Sequence, residues 1–388
     1  MLKVYSTSRQ YRRNLLVLSI ILVVMSAVVG YCIGWYTGSL VINNKDTAEE
    51  TVKLNNAITA SIEIEQYRDN KLIAVYKKEN DPLTRNFIAI IINTFLAMKY
   101  QGTPVPITFT DGTILNDFIL DNAYNNKLKG TYIAIGNGTG TPSFTDYNMF
   151  NSVYMSRTVL TQETHNMTHY IAVIEAYFII DEDMNITEVG LLLKTRIGST
   201  YKYILLAHDT VYIIAKTYDA IVVKYVFTFT KPFTYNFAVL ITRLVLSGLQ
   251  YAYIVDINRI TRCPDFGVDG AGDDLIKEDI LMWLGNNPSP LFTMYKYDVS
   301  TKIAETSKTP RVTYGYNKTS IWVIIHGWIE LDAEETATEV GLLLKTDGVW
   351  DYSWYPAWIN ILYIPLDTTL TGPGIHGVKI ILYYSQEG

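Results

Sequence analysis

Five histidines, His165, His169, His208, His326 and His376, are the first residues to test for metal or acid–base chemistry. No pair has the His-Glu-x-x-His spacing that sets two imidazoles and a carboxylate around zinc, and the two cysteines, Cys32 and Cys263, form no cluster. His165 and His169 are four apart in a stretch that reads as loop passing into strand, where that spacing gives no shared helix face. A surface or sheet-face position is the expectation for each. Glu188 and Glu339 are carboxylates without an acidic neighbour in sequence, expected to cap or pair at a strand edge. Gly136-Asn-Gly-Thr-Gly140 is glycine-rich like a dinucleotide loop. Its third glycine is misplaced, however, Pro142 follows, and no βαβ unit surrounds it, so it reads as a turn between strands. Asp265, Asp269, Asp273 and Asp274 could offer oxygens to calcium, but they lack EF-hand spacing and read as a solvated acidic loop. No Gly-x-Ser-x-Gly nucleophile elbow occurs. The expectation is a chain with no catalytic, cofactor-binding or metal-ligating residue, hence not an enzyme. Four Asn-x-Ser/Thr sequons, at Asn137, Asn166, Asn185 and Asn317, are candidate glycosylation sites.

The elements that would carry these residues come in two copies. Thr-Glu-Val-Gly-Leu-Leu-Leu-Lys-Thr begins at residue 187 and again at 338, an offset of 151. That period is domain-sized and too long for a solenoid. Upstream, Ile171, Val173, Tyr177 and Asp181 fall opposite Trp322, Ile324, Trp328 and Asp332, in runs whose period-two alternation marks half-buried strands. Pro82-Leu-Thr-Arg-Asn-Phe87 matches Pro232-Phe-Thr-Tyr-Asn-Phe237, and each leads into an apolar run of helical length, 88–98 and 238–249. Asp81 is the expected cap of the first helix, with Pro82 in its first turn. Val222-Val-Lys-Tyr225 faces Gly377-Val-Lys-Ile380. Arg68-Asp-Asn-Lys71 and Thr110-Asp-Gly-Thr113 read as hairpin turns, and 186–194, 201–207 and 220–229 as strands. With few helices for crossovers, the sheets should be largely antiparallel. The expected fold is mainly β: two tandem β-sandwiches, Ig-like or jelly-roll-like, each with one helix. Copy one would span 61–230 and copy two 231–388.

Residues 15–36 are apolar and uncharged, long enough to span a bilayer as a helix and longer than the apolar core of a cleaved signal peptide. Lys3, Arg9, Arg12 and Arg13 precede this stretch, so the positive-inside rule keeps the tail 1–13 in the cytoplasm or its equivalent. The expected layout is that tail, an uncleaved transmembrane helix over 14–38, a linker or stalk over 39–60, and the bulk outside. Ser26, Gly30, Gly34 and Gly38 fall four apart on one helix face, where small residues let two membrane helices pack closely. Residues 1–44 hold four positive side chains and no negative one, so the net charge of −6 becomes −10 over the remainder. An acidic, aromatic-rich exterior excludes a nucleic-acid partner, which needs a basic footprint.

The string from Tyr132 to Ser143, then Ile186-Thr-Glu-Val-Gly-Leu191, then the strand 222–229, resembles a β-domain of bacteriophage tail and surface proteins. In that family a Gly-rich loop leads into a Pro-Ser/Thr segment, followed by an Ile-Thr-Glu-Val-Gly-Leu strand and a Thr-rich closing strand. The resemblance covers copy one from about 131 to 230; in copy two it is carried mainly by 338–346, where Gly285-Asn-Asn-Pro288 keeps one glycine of the loop. It implies a virion structural part without catalytic residues. The membrane anchor departs from soluble tail parts, and with it the chain looks like an archaeal-virus spike, turret or tail component. The partners expected are a lipid membrane, further copies of the chain, other virion proteins and a host surface receptor. A cellular adhesin or pilus-like protein fits the same features. A membrane-tethered glycan hydrolase would need paired carboxylates in a cleft.

Overall fold

The computed structural model describes residues 47–79, 83–93, 105–116, 118, 130–166, 168–247, 251–255, 275–279, 289–295, 302–305, 310–345, 349–350, 353–354 and 358–385. The chain divides into two compact units, Met1–Asp46 and Thr47–Gly388, and the described residues all belong to the second. The expected tail, the membrane helix with Ser26, Gly30, Gly34 and Gly38, both cysteines, the acidic loop 265–274 and the turn 285–288 lie outside the described residues. Among the described residues no helix is long and apolar enough to cross a membrane.

The protein is mainly β. Strand β1 (Thr47–Lys53), a single helical turn α1 (Leu54–Ala57), β2 (Ile58–Arg68) and β3 (Lys71–Lys78) lead to helix α2 (Arg85–Ile91). There follow β4 (Ile107–Thr108), β5 (Ile114–Leu115), β6 (Gly130–Gly136), β7 (Ser152–Arg157), β8 (Val159–His165), β9 (His169–Ile179), β10 (Met184–Ile197), β11 (Thr200–Ala215) and β12 (Ala220–Thr230). Helix α3 (Tyr235–Leu240) runs on as a π-helical segment, Ile241–Leu246. After it come β13 (Tyr251–Val255), β14 (Leu275–Asp279), β15 (Ser289–Tyr295), β16 (Lys302–Glu305), β17 (Arg311–Tyr316), β18 (Ser320–Leu331) and β19 (Thr336–Lys345). Short strands β20 (Val349–Trp350) and β21 (Ser353–Trp354) precede β22 (Trp358–Thr371) and β23 (Gly374–Ser385).

Local chemistry sets these boundaries. In β2, β9 and β12 every second residue is buried, the period of a strand with one face on a core. The β2–β3 turn holds Asp69 and Asn70 at φ 51° and 61°, the left-handed pair that a two-residue hairpin needs. Gly112 at φ 80° closes the β4–β5 hairpin, where the Phe109 amide donates to the Thr113 carbonyl at 2.9 Å. Helix α2 starts later than expected. Thr84 is its N-cap, accepting from the Phe87 amide, while Asp81 and Pro82 lie outside the described residues. The Thr84 hydroxyl also donates to the Leu205 carbonyl at 2.7 Å, so one side chain caps the helix and pins it to β11.

The strand order occurs twice. One sheet runs β3-β2-β12-β9-β8 and another β11-β10-β6-β7; in the second half the orders are β1-β23-β18-β17 and β22-β19-β15-β16. The first nine-residue string sits in β10 and residues 338–345 of the second in β19, each second in its sheet. Even the irregularities coincide. The register shifts between Ile186 and Glu188 and between Leu191 and Leu192 where β10 pairs β11, and between Ala337 and Glu339 and between Leu342 and Leu343 where β19 pairs β22. Thr234 caps α3 through Phe237 and donates to the Asn360 carbonyl at 2.5 Å, repeating Thr84. The inner faces of all four sheets, with Phe87 and Phe237, contribute to one continuous apolar core.

The expected linker 39–60 is not linker over its described part. Thr47–Lys53 is strand β1, which pairs parallel to β23 in the second half, and the chain then turns through α1 into β2 of the first half. The alternation Thr-Ala-Glu-Glu-Thr-Val-Lys is too polar to stand out as a strand, and only Ala48 of it is fully buried. Every other described strand pairing is antiparallel, as expected.

Candidate functional site

The described residues hold one compact constellation of acid and base groups, built on β10, β11 and the loop between β6 and β7. Glu188 stands on the face of β10 opposite Val189, Leu191 and Leu193 of the main core. Strand β10 is an interior strand with β11 on one side and β6 on the other, and the β6–β7 loop covers the carboxylate, which is fully buried. His208 stands on β11 opposite Gly190, so the ring is a diagonal neighbour of Glu188 and is 1% exposed. Its Nε2 lies 3.1 Å from Glu188 Oε2 and its Nδ1 lies 2.7 Å from Asp146 Oδ2. The Phe150 ring covers the imidazole at 4.9 Å.

The loop supplies the remaining donors. The amides of Asn151, Phe150 and Gly138 donate to the Glu188 carboxylate at 2.6, 2.8 and 3.1 Å. A Cβ at Gly138 would lie 2.4 Å from Glu188 Oε1 and 2.6 Å from the Asn151 backbone nitrogen. At Gly136 it would lie 2.2 Å from the Asn151 carbonyl oxygen. The glycine pattern therefore serves close approach of the loop to a buried carboxylate, in place of the phosphate that a dinucleotide loop would cradle.

Burial pushes the Glu188 carboxyl upward, but His208 and the backbone amides of Asn151 and Phe150 outweigh it and hold the group below its usual value. Burial likewise disfavours the charged imidazole, yet hydrogen bonds to Asp146 and Glu188 win and raise His208 to about 9. The ring is an imidazolium between two carboxylates at neutral pH. Both its nitrogens are donors already in use, so neither can take a proton from a bound molecule.

Glu188 thus departs from the strand-edge expectation, and it has an acidic companion, Asp146, beyond the imidazolium. Of the surface or sheet-face positions expected, His208 and His376 take sheet-face ones, on long paired strands, and both are buried. His326 is half-buried on the outer face of β18, and burial followed by the nearby Arg311 and Lys379 charges holds it below its usual value. His165 is exposed and His169 half-buried at the β8–β9 turn. Glu339 occupies the place of Glu188 in the second half, but Tyr363 stands there in place of His208, opposite Gly341. Among the described residues, then, the second half has no histidine at the place of His208.

Two further charged clusters tie strands together. Asp219, fully buried, takes both nitrogens of the Arg68 fork at 2.7 and 2.8 Å, plus Gln66 and the Lys216 amide. The Arg68 guanidinium holds that carboxyl at about 2. Glu163 on β8 accepts from Tyr170 and from Arg243 of the π-helical segment, joining first half to second. Among the described residues no group of three or more His, Cys, Asp or Glu side chains is arranged to hold a metal ion.

The sequons fall in different settings. Asn137 is exposed and bonded to Asn151, Asn185 is exposed within paired strand β10, and Asn166 and Asn317 stand exposed at hairpin tips. Sequence reasoning missed the pairing of Glu188 with His208. The turn at Gly198 folds β11 back on β10, but its register alone would set Ala207 opposite Gly190; the shift between Leu191 and Leu192 brings His208 there, and no local sequence signal announces that shift. No protein-family model matches the chain, and no curated protein or solved structure does.

Proposed function

We propose that the chain is a structural protein of a virion surface, anchored by a transmembrane helix over 14–38 and projecting two tandem β-sandwich domains. Copy one would correspond to 61–230 and copy two to 231–388, with β1 as a strand lent across them. The projection would be a spike, turret or tail component, built from several copies and facing the host. The observation that carries this reading is how the buried charged groups Glu188, His208 and Asp219 and their partners are used. Glu188, His208, Asp146, Asp219 and Arg68 are engaged with one another and with backbone amides. Such saturated networks fix strand register and loop position, the requirement of a rigid building part. The repeated strand order supports the tandem arrangement. The test is immunogold labelling and peptide mass spectrometry of purified particles. Labelled projections support the reading; a chain found in host membranes and absent from particles ends it.

A further inference from the structure

Asn166 and Asn317 are 151 residues apart, the offset of the repeated strand string, and each starts an Asn-x-Thr sequon. They occupy the same place in the two halves. Asn166 follows β8 and precedes β9; Asn317 follows β17 and precedes β18. Both are exposed at the tip of an antiparallel hairpin. The Asn166 amide donates to the His169 carbonyl at 3.0 Å, and the Asn317 amide to the Ser320 carbonyl at 2.9 Å.

The side chains are held alike. Asn166 Oδ1 accepts from the Thr168 amide and hydroxyl at 2.8 and 2.9 Å and from the His169 amide at 3.1 Å. Asn317 Oδ1 accepts from the Thr319 amide and hydroxyl at 2.8 and 3.3 Å and from Ser320 through its amide at 2.7 Å and hydroxyl at 3.0 Å. The asparagine side chain therefore holds each turn's backbone through its oxygen. A substituent on Nδ2 leaves all of them in place; at Asn166 it displaces only the 3.0 Å contact with the exposed edge of His169. The Thr hydroxyl of each sequon already points at the acceptor amide.

The other two sequons are built in. Asn185 lies in β10, paired to Ile214, and the hydroxyl of its Thr187 is spent on the Gly138 carbonyl at 2.6 Å. Asn137 is followed by buried Gly138, whose amide is a donor to Glu188. Presenting either tripeptide to an enzyme requires breaking the β10–β11 ladder or the Glu188 cradle.

We infer that the folded chain carries N-linked glycans at Asn166 and Asn317, one at the same hairpin tip of each half, and leaves Asn137 and Asn185 bare. The donor class is an oligosaccharide on a lipid phosphate. Asn Nδ2 forms a bond to the anomeric carbon as the bond from that carbon to the phosphate oxygen breaks. The lipid phosphate leaves with the electron pair, and one Nδ2 proton passes to a base of the transferase. No redox partner is needed. The inference rests on the exterior placement proposed above.

The test is glycopeptide mass spectrometry on the full chain made in a cell with a membrane oligosaccharyltransferase, with two sets of variants. Asn166→Asp and Asn317→Asp keep the turn-forming oxygen and remove the acceptor nitrogen. Gly198→Asn, followed by Ser199 and Thr200, creates an exposed reporter sequon; Gly198 has φ 59° and no atom within 4 Å of an added Cβ, and asparagine tolerates that conformation. The expected result is glycan mass at 166, 317 and the reporter, none at 137 or 185, and loss of each glycan in its Asp variant without loss of fold. A modified reporter with bare 166 and 317 overturns the inference and leaves the exterior placement standing. A bare reporter removes the exterior placement and the inference with it. Equal occupancy of all four sequons overturns the selection argued from the fold.

Discussion

The Glu188–His208–Asp146 cluster makes a demanding prediction for His208→Ala. In the folded chain the imidazole titrates near 9, against 6.5 for a free histidine. At 1.36 kcal/mol for each tenfold change in proton affinity, that difference corresponds to at most ~3 kcal/mol. The sign follows from the direction. The folded state binds the proton more tightly, so this stabilisation is complete below pH 6.5 and disappears as pH rises through 9. Removing the ring also leaves Glu188 buried without its cation, a loss of roughly 3–5 kcal/mol when one partner of a buried pair is deleted. The opening that reports it is local, because the amides of Gly138, Phe150 and Asn151 donate to Glu188. Hydrogen exchange on peptides covering 136–152, corrected for intrinsic rates, should show protection falling roughly 100- to 5000-fold in His208→Ala at pH 6. The parent should show a similar fall between pH 6 and pH 10, and the variant should not. A change under about tenfold in the variant, or a parent indifferent to that pH range, would refute the imidazolium clamp.

Gly138→Ala should destabilise by about 3 kcal/mol through the clash with Glu188 and the Asn151 backbone, whereas Gly198→Ala, with open space around it, should cost only ~1 kcal/mol for its left-handed φ; urea midpoints of the two variants check the contrast. Asp219 titrates at about 2 against 3.8, so its contribution is present above 3.8 and lost as pH falls through 2. Asp219→Asn should flatten that acid limb in a pH series of melting temperatures. Leu54 is fully buried in α1, which touches β2, β12 and β23. Leu54→Ala should cost ~2–5 kcal/mol, and faster exchange at 47–53 than at 58–68 would identify β1 as the strand released first.

The parts of the fold that were legible in the chain are those governed by local period or local turn chemistry. The alternation in 169–179 and 220–230, the Asp69-Asn70 turn and the twin strings in β10 and β19 need only neighbours in sequence to be recognised. The cap of α2 was misplaced because Asp81 and Thr84 are both good capping types; the contact that favours Thr84 is with the Leu205 carbonyl, far along the chain. The acid–base cluster was invisible for a related reason. His208 and Glu188 are 20 residues apart and Asp146 is 62 residues from the histidine, so their meeting depends on strand register and on a loop folding over a sheet. Glycines at 136 and 138 were visible as a motif, but what they approach is a carboxylate supplied by another strand.

Strand β1 ties the two halves of the chain together. In the first half, the position beside β12 is filled by β2, antiparallel; in the second, the matching position beside β23 is filled by β1, parallel. The segment that precedes α2 is the β2–β3 hairpin, but the segment that precedes α3 is β12, already committed to the first-half sheet. The second half therefore has no preceding hairpin of its own to cover β23, and its unpaired edge would be a site for unwanted pairing. The N-terminal strand closes it. Asn55 then locks the junction, exchanging bonds with the backbone of Ser385 at the end of β23. Arg243 and Glu163 add a second tie between the halves. Pulling on the chain before residue 47 would load β1 along its length against β23, in shear across its parallel ladder, so force reaches the second half before the first. Two modules joined only end to end would pass it to the first half alone.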